Sequence, residues 1–504
     1  MEIKSVQYLL FTMVSFILSL GAEASNLSIA NSFNNNSQSD IKNNAYDTLF
    51  LDGNIKFINQ VNKSRIVYVI ESSFDLKGKT VSLPEHSILL FRGGKICNGV
   101  LVGKKTDIVS SPLKIFENIK LEGSFINKLD ARWFGVSPLN SDNSEYLKNA
   151  LNSSSNNILE IPGGTYLFKQ KVCCRVRNAC IRGETYRSTT TTVFKYVSET
   201  PTKSNSSFSL LELKAFDLTI ENIGIVSSHK DKELTAIEIC DSILPGQIDS
   251  NIINCYMSNF GKCIVAHGRG IRVENNLFSN TYCCLHYIPA ENQASTDIAQ
   301  NPPYDGRGVI FGRNKCHGID KVDEVFNGSA VVLGKNIYKH KVNYSIPSVL
   351  CMFICENEID NTGSLLNSFL PIGDSVITGN ILVKSISSAV TCSNGINGLI
   401  ISNNIFGKYI ATTSESPTTI ISLGANADGL QNININNNIL KDCAEEAISL
   451  KDKDTRKMEG IVVCNNIFSN VKYVLGSEGS NYKDIISSNN IYNLKEGGNF
   501  SKEK

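Results

Sequence analysis

The stretch Ile401-Ser402-Asn403-Asn404-Ile405-Phe406 decides the fold, because it is one copy of a phrase that returns along the chain. Other clear copies are VENNLF (273–278), ITGNIL (377–382), INNNIL (435–440), VCNNIF (463–468) and SSNNIY (487–492). Looser ones are IENIGI (220–225), IINCYM (252–257) and FGRNKC (311–316). From 377 onward the clear copies are spaced by 24, 34, 28 and 24 residues. Variable steps above a common minimum describe a solenoid whose coils keep their strands and vary their loops. Each copy is a short alternating strand, a pair of Asn and another short strand, with no helical period. Asn suits the corner because it tolerates the left-handed backbone conformation. Stacked in register, its amides can also hydrogen-bond from coil to coil. The pattern predicts an all-β chain, a right-handed parallel β-helix with coils about 4.8 Å apart.

Working outward, residues 77–110 alternate short Val/Ile/Leu runs with Gly-rich corners, which predicts a smaller β-solenoid module ahead of the main one. Ser144 to Leu151 is a helical turn placed to cap the main solenoid. At the start, Lys4, an apolar run from Tyr8 to Leu20 and Gly21-Ala22-Glu23-Ala24 form the pattern of a secretory signal peptide. The expected organisation is therefore a signal peptide (1–24), an Asn/Ser-rich lead-in (25–45), an N-terminal β module (46–130), the β-helix (131–495) and a tail (496–504). The product is expected to be exported, periplasmic or secreted, with no transmembrane segment. Balanced charge, 49 Lys and Arg against 48 Asp and Glu, argues against a nucleic-acid partner. The fifteen Cys form neither a compact disulfide framework nor a zinc signature, and most read as small buried apolar residues.

ARWFGV (131–136), the helix at 144–151, ILEIPGGTYLF (158–168) and ACIRGETY (179–186) together resemble the start of pectate-lyase-superfamily β-helix domains. The preceding LKGKTVSLPEHSILLFRGGKICNGVLVG (76–103) is similar to a module found before such domains in exported polysaccharide-utilisation proteins. The resemblance covers roughly residues 75 to 495. It implies the fold and a polysaccharide substrate, but not one reaction, because the superfamily hosts glycosidases, lyases and non-catalytic members. The Asn-Thr-Asp and paired-Asp motifs of polygalacturonases are absent, so His267-Gly268 alone assigns no chemistry. Trp133 reads as a packing anchor between the modules.

Strand parity places the side chains that face outward. Aligning copies on the Asn corner puts Thr219, Asn251 and Arg272 in one outward column and Glu221, Ile253 and Glu274 in the next. Later coils carry Thr378, Ser402, Asn436, Cys464 and Ser488 at the Glu274 position, so charge concentrates before residue 280. Two rungs would separate Glu221 from Glu274 by about 9.6 Å at the backbone. Inverting glycosidases hold their two carboxyl groups about 6.5–9.5 Å apart, one as acid and one as base on a water. Glu238 and Asp241 are alternative carboxylates on a neighbouring face, and His267 is a further candidate for proton transfer.

The longest interruption of the repeat, residues 282–308, carries His286, Tyr287, Tyr304, Asp305 and Arg307, followed by Arg313 and His317. Together with Arg269 and Arg272 these could line a substrate wall, since function concentrates in long loops on a rigid scaffold. They also permit a lyase. Elimination from a uronic-acid chain needs a cation on the carboxylate, which Arg272, Arg307 or Arg313 could supply. It also needs a proton carrier, for which His267, His286 and Tyr287 qualify. Calcium would enter only in the lyase reading, and no dense Asp cluster assigns a metal site. The leading expectation is an exported enzyme cleaving a polysaccharide in a groove, with hydrolysis by paired carboxylates ahead of elimination. A non-catalytic glycan-binding or structural solenoid is the competing class.

Overall fold

The computed structural model describes residues 46–501, apart from 187–188, 198–206, 241–246, 292–303, 320–327, 335–348, 384, 386, 408–418, 426–428, 453–457 and 479–484. The expected signal peptide and lead-in, Asp241, and the middle of the 282–308 insertion lie outside the described residues.

The chain is a right-handed parallel β-helix. One sheet system holds 35 strands, joined from coil to coil by parallel pairing, with Ala290–Glu291 paired antiparallel to Tyr304–Arg307. A separate sheet of seven strands precedes it, built around the long strand Lys95–Val109. The two sheet systems divide between Phe125 and Leu129. Trp133 is buried at this junction, where its carbonyl accepts the amide of Ile115 at 3.0 Å. The predicted helix runs Ser144–Asn152 and covers the first coil by packing on strand Val172–Gly183. Asp142 steadies its first turn by accepting the Ser144 amide at 3.0 Å. No helix among the described residues is long and apolar enough to cross a membrane.

Each coil has three faces. Strands such as Leu234–Cys240, Lys262–His267 and Cys283–Ile288 build the first. Gln247–Ile253, Arg269–Glu274 and Ile396–Ser402 belong to the second, and Leu277–Thr281 and Ile405–Gly407 to the third. Parity follows the sequence reading: Leu399 and Ile401 are buried while Ile400 between them is exposed. On the third face Phe278, Cys316, Ile359, Leu382, Phe406, Leu440 and Phe468 stack inward one rung after another. They form part of one apolar core that fills the solenoid.

The two Asn of the repeated phrase have different jobs. The first turns the corner between the second and third faces: Asn275, Asn403, Asn437, Asn465 and Asn489 all have φ between 55° and 58°. Arg313, Glu356 and Gly379 take the same conformation at this corner, which explains the less regular copies. The second Asn points inward and is buried. Asn276, Asn314, Asn357, Asn380, Asn404, Asn438, Asn466 and, half-buried at the end, Asn490 form a continuous ladder in which, from Asn314 on, each Oδ1 accepts two bonds from the Asn before it, one from the backbone amide and one from Nδ2. The second Nδ2 proton goes to a backbone carbonyl of the preceding coil, as from Asn404 to Ile377 at 3.0 Å. Every amide atom is thus satisfied inside an apolar core, which is the condition for burying it. The phrase ICENEI (354–359), absent from the sequence-level series, is a full member through Asn357.

Two substitutions separate the roles. Asn404→Leu strands the Asn380 donors and the Ile377 carbonyl and should cost about 3 kcal/mol. Asn403→Gly keeps the left-handed corner and should cost less than about 0.5 kcal/mol. Urea titration followed by circular dichroism distinguishes them.

Candidate active site

The predicted columns are present in register. Thr219, Asn251 and Arg272 are neighbours on successive coils of the second face, as are Glu221, Ile253 and Glu274. The Glu274 column continues through Gly312, Cys355, Thr378, Ser402, Asn436, Cys464 and Ser488.

What the carboxylates do there differs from the expectation. Glu274 is buried, with 6 % of its side chain exposed, and lies against Gly312, whose missing Cβ leaves the space. It accepts from Arg272 Nε and, at 2.9 Å, from Arg313 Nη2. Arg313 also reaches Asn275 Oδ1 at 3.1 Å. Glu221 accepts from Arg182 Nε and contacts Cys180 Sγ at 3.4 Å. Both acids are therefore tied to guanidinium groups, with Ile253 between them. Each carboxylate is occupied by an arginine rather than standing free opposite a water, as paired-carboxylate hydrolysis requires. Arg272 and Arg313 are in turn committed to Glu274.

The first face brings together a different pair. Glu238, on Leu234–Cys240, and His267, at the end of Lys262–His267, are joined by a contact of 3.1 Å between Oε1 and Nε2. Ser209 Oγ donates to the other carboxylate oxygen. The His267 bond holds the Glu238 pKa down at about 2, against the opposing effect of burial and with help from Ser209 and from the charges of His267 and Lys171. At neutral pH Glu238 is then ionised and can only accept. Opposite an ionised carboxylate Nε2 of His267 is the donor of this bond, and in the neutral ring Nδ1 is then the acceptor. The His267 side chain is a third exposed. Gly268, at φ 129°, turns the chain directly after it, and a Cβ on Gly270 would strike Asp249 Oδ1 at 2.0 Å.

Around this pair the first face is charged. Lys171 and Glu212 form an ion pair at 2.6 Å beside Cys173. Arg175, Lys214, Cys240 and His267 are register partners in one outward column. Arg175 and Lys214 are exposed and make no ion pair among the described residues. Sequence reading missed both. The first face carries no Asn phrase to align on, and the strands that hold them, Val172–Gly183 and Phe208–Glu221, run across two faces and turn at Asn178 and Asp217, a corner whose residue type varies from coil to coil.

The remaining predicted residues are dispersed. Tyr287 is in register with Ile239, Ala266 and Leu333 and is fully buried in the core. It lines no groove, because parity with Leu285 turns it inward. His286 is outward but covered, with Nε2 at 2.8 Å from the Gly334 carbonyl. Arg269 begins the second-face strand after the His267 turn, and Arg307 is exposed at the end of strand Tyr304–Arg307. Tyr304 and Asp305 pair antiparallel with Glu291 and Ala290, and their side chains lie outside the described residues. His317 is on the third face, in register with Ser279 and Asp360. No group of three or more His, Cys, Asp and Glu able to hold a metal forms among the described residues. Glu238 and Glu212 are committed to His267 and Lys171 respectively.

No protein-family model matches the sequence, and no curated protein sequence matches it. Among solved structures it is similar to the catalytic domain of a GH87 alpha-1,3-glucanase in complex with nigerose, at 11% identity and a TM-score of 0.45, covering 72% of this chain and 66% of that one, just under two thirds. Another is an alginate lyase from Paenibacillus sp. str. FPU-7, at 13% identity and a TM-score of 0.35, covering 71% of this chain and 96% of that one. A third is PfbA, a surface adhesin of Streptococcus pneumoniae, at 15% identity and a TM-score of 0.39, covering 74% and 91%. These likenesses concern the fold.

The two charge clusters respond differently to substitution. Glu274→Gln leaves two arginines facing a neutral amide and should cost about 2 kcal/mol in a urea titration, since removing one partner of a buried pair is destabilising. Glu238 acts through pH. Its folded pKa is depressed from 4.5, so its stabilisation is complete above about pH 4.5 and is lost as pH falls towards 2. Glu238→Gln should flatten that part of an acid-unfolding curve and leave the curve above pH 6 parallel to that of the parent.

Proposed function

We propose that the protein is an exported carbohydrate-active enzyme that cleaves an acidic polysaccharide by β-elimination on the first face of the β-helix. The observation that carries this reading is the His267–Glu238 pair, with one nitrogen fixed as donor and the other left as base. In this reading the glycan lies along the solenoid axis, across the strands. Arg175 and Lys214 attract its carboxylates and offset their charge, Arg175 by paired hydrogen bonds and Lys214 as a point charge. Nδ1 of His267 takes the proton on the carbon next to the carboxylate. A carbon–carbon double bond forms, the glycosidic carbon–oxygen bond breaks, and the leaving oxygen is protonated by the imidazolium or by water. Glu238 stabilises the imidazolium in between.

Elimination is favoured over hydrolysis because the carboxylates in the predicted hydrolytic column are paired with arginines, and Glu238 is held far too acidic to donate a proton near neutrality. A panel of neutral and acidic polysaccharides tests this, with new reducing ends and the ultraviolet absorbance of the unsaturated product read together. Both signals should appear with an acidic glycan. Reducing ends without the absorbance would mean hydrolysis, and binding without turnover a non-catalytic solenoid. His267→Gln should lower kcat by about 100-fold or more. Lys214→Ala together with Arg175→Ala should raise KM about tenfold, with kcat little changed.

A further inference from the structure

Inside the solenoid, beneath the face that carries His267, two thiols face one another. Cys284 Sγ and Cys316 Sγ are 3.7 Å apart, and both residues are completely buried in the apolar core. Cys284 belongs to strand Cys283–Ile288 and Cys316 to strand Lys315–Ile319. Between them lie residues 289–308, the part of the 282–308 interruption that follows strand Cys283–Ile288 and precedes strand Val309–Gly312. Cys284 is thus on the strand that leads into this segment, and Cys316 is on the second strand after it. Ile288, four residues after Cys284, is the register partner of His267, so the insertion is rooted beside the candidate site.

We propose that Cys284 and Cys316 form a disulfide when the chain folds under oxidising conditions, linking the strand before the insertion to the second strand after it. The bond needs the sulfur atoms to close from 3.7 Å to about 2.05 Å, a movement within reach of two side-chain rotations. Two S–H bonds break and one S–S bond forms. The two electrons and two protons pass to a disulfide oxidant such as oxidised glutathione, which leaves as two thiols. Full burial sets the timing: the exchange takes place through a mixed disulfide while the core is still open, and the finished bond is then closed to solvent and reductant. Cys263 is the competing partner, one rung before Cys284 in the same column, but its Sγ is directed to Thr281 Oγ1 at 3.5 Å. The staple does not depend on the enzymatic reading.

The full chain is folded with oxidised and reduced glutathione, unfolded in denaturant with an alkylating reagent, digested without reduction and analysed by mass spectrometry. The expected product is the Cys284 peptide joined to the Cys316 peptide, two hydrogens lighter than the separate pair and separated by dithiothreitol. Cys263→Ser should retain the link and Cys316→Ser should lose it. Alkyl label on both Cys284 and Cys316 in the unreduced sample, or a link from Cys284 to Cys263, would overturn the proposal. The wild-type peptide map decides the matter even if a variant does not fold.

Discussion

The structure depends on a buried amide that finds all its partners in its own repeat. Each inner Asn satisfies the Asn before it and a backbone carbonyl, so the ladder is stable only when successive coils are in register. A shift of one residue would leave amide groups unpaired in an apolar core and turn every outward side chain inward. The ladder thus fixes register from Asn276 to Asn490 and, through register, the columns on every face. Before Asn276 the same position holds Ile223 and Cys255, and the Cys255 amide still donates to Asn276 Oδ1 at 2.8 Å. There the coils are aligned by apolar packing and by longer strands, and these are the coils that carry the charged first face.

That division explains which parts were legible in the sequence. The Asn phrase reports register directly, and the columns through Arg272 and Glu274 could be read from it without coordinates. The pairing of Arg272 with Glu274 across these two columns was legible too, since residues two apart on a strand share a face. The weight given to Glu221 and Glu274 as free acids neglected their neighbours. Tyr287 could likewise have been turned inward by counting from Leu285.

The His267–Glu238 contact was not accessible to the same reasoning. The two residues are 29 positions apart and meet diagonally, His267 being the register partner of Cys240 rather than of Glu238. No phrase aligns these two strands, and the corner between the first and second faces has no fixed residue. Arg175 and Lys214 were hidden for the same reason. Sequence reading located the elements and named both members of the pair as candidates; it could not bring them together.

In the proposed site an ionised Glu238 fixes the proton of the neutral His267 ring on Nε2 and leaves Nδ1 as a base. The most direct measurement is a long-range proton–nitrogen NMR spectrum of protein labelled with 15N-histidine near neutral pH, with His267 assigned by comparison with the His267→Gln variant. The account predicts a protonated Nε2 and a bare Nδ1 for His267 in the parent protein, and loss of that preference in Glu238→Gln. A proton on Nδ1 in the parent, or a tautomer unchanged by removing the Glu238 charge, would contradict it.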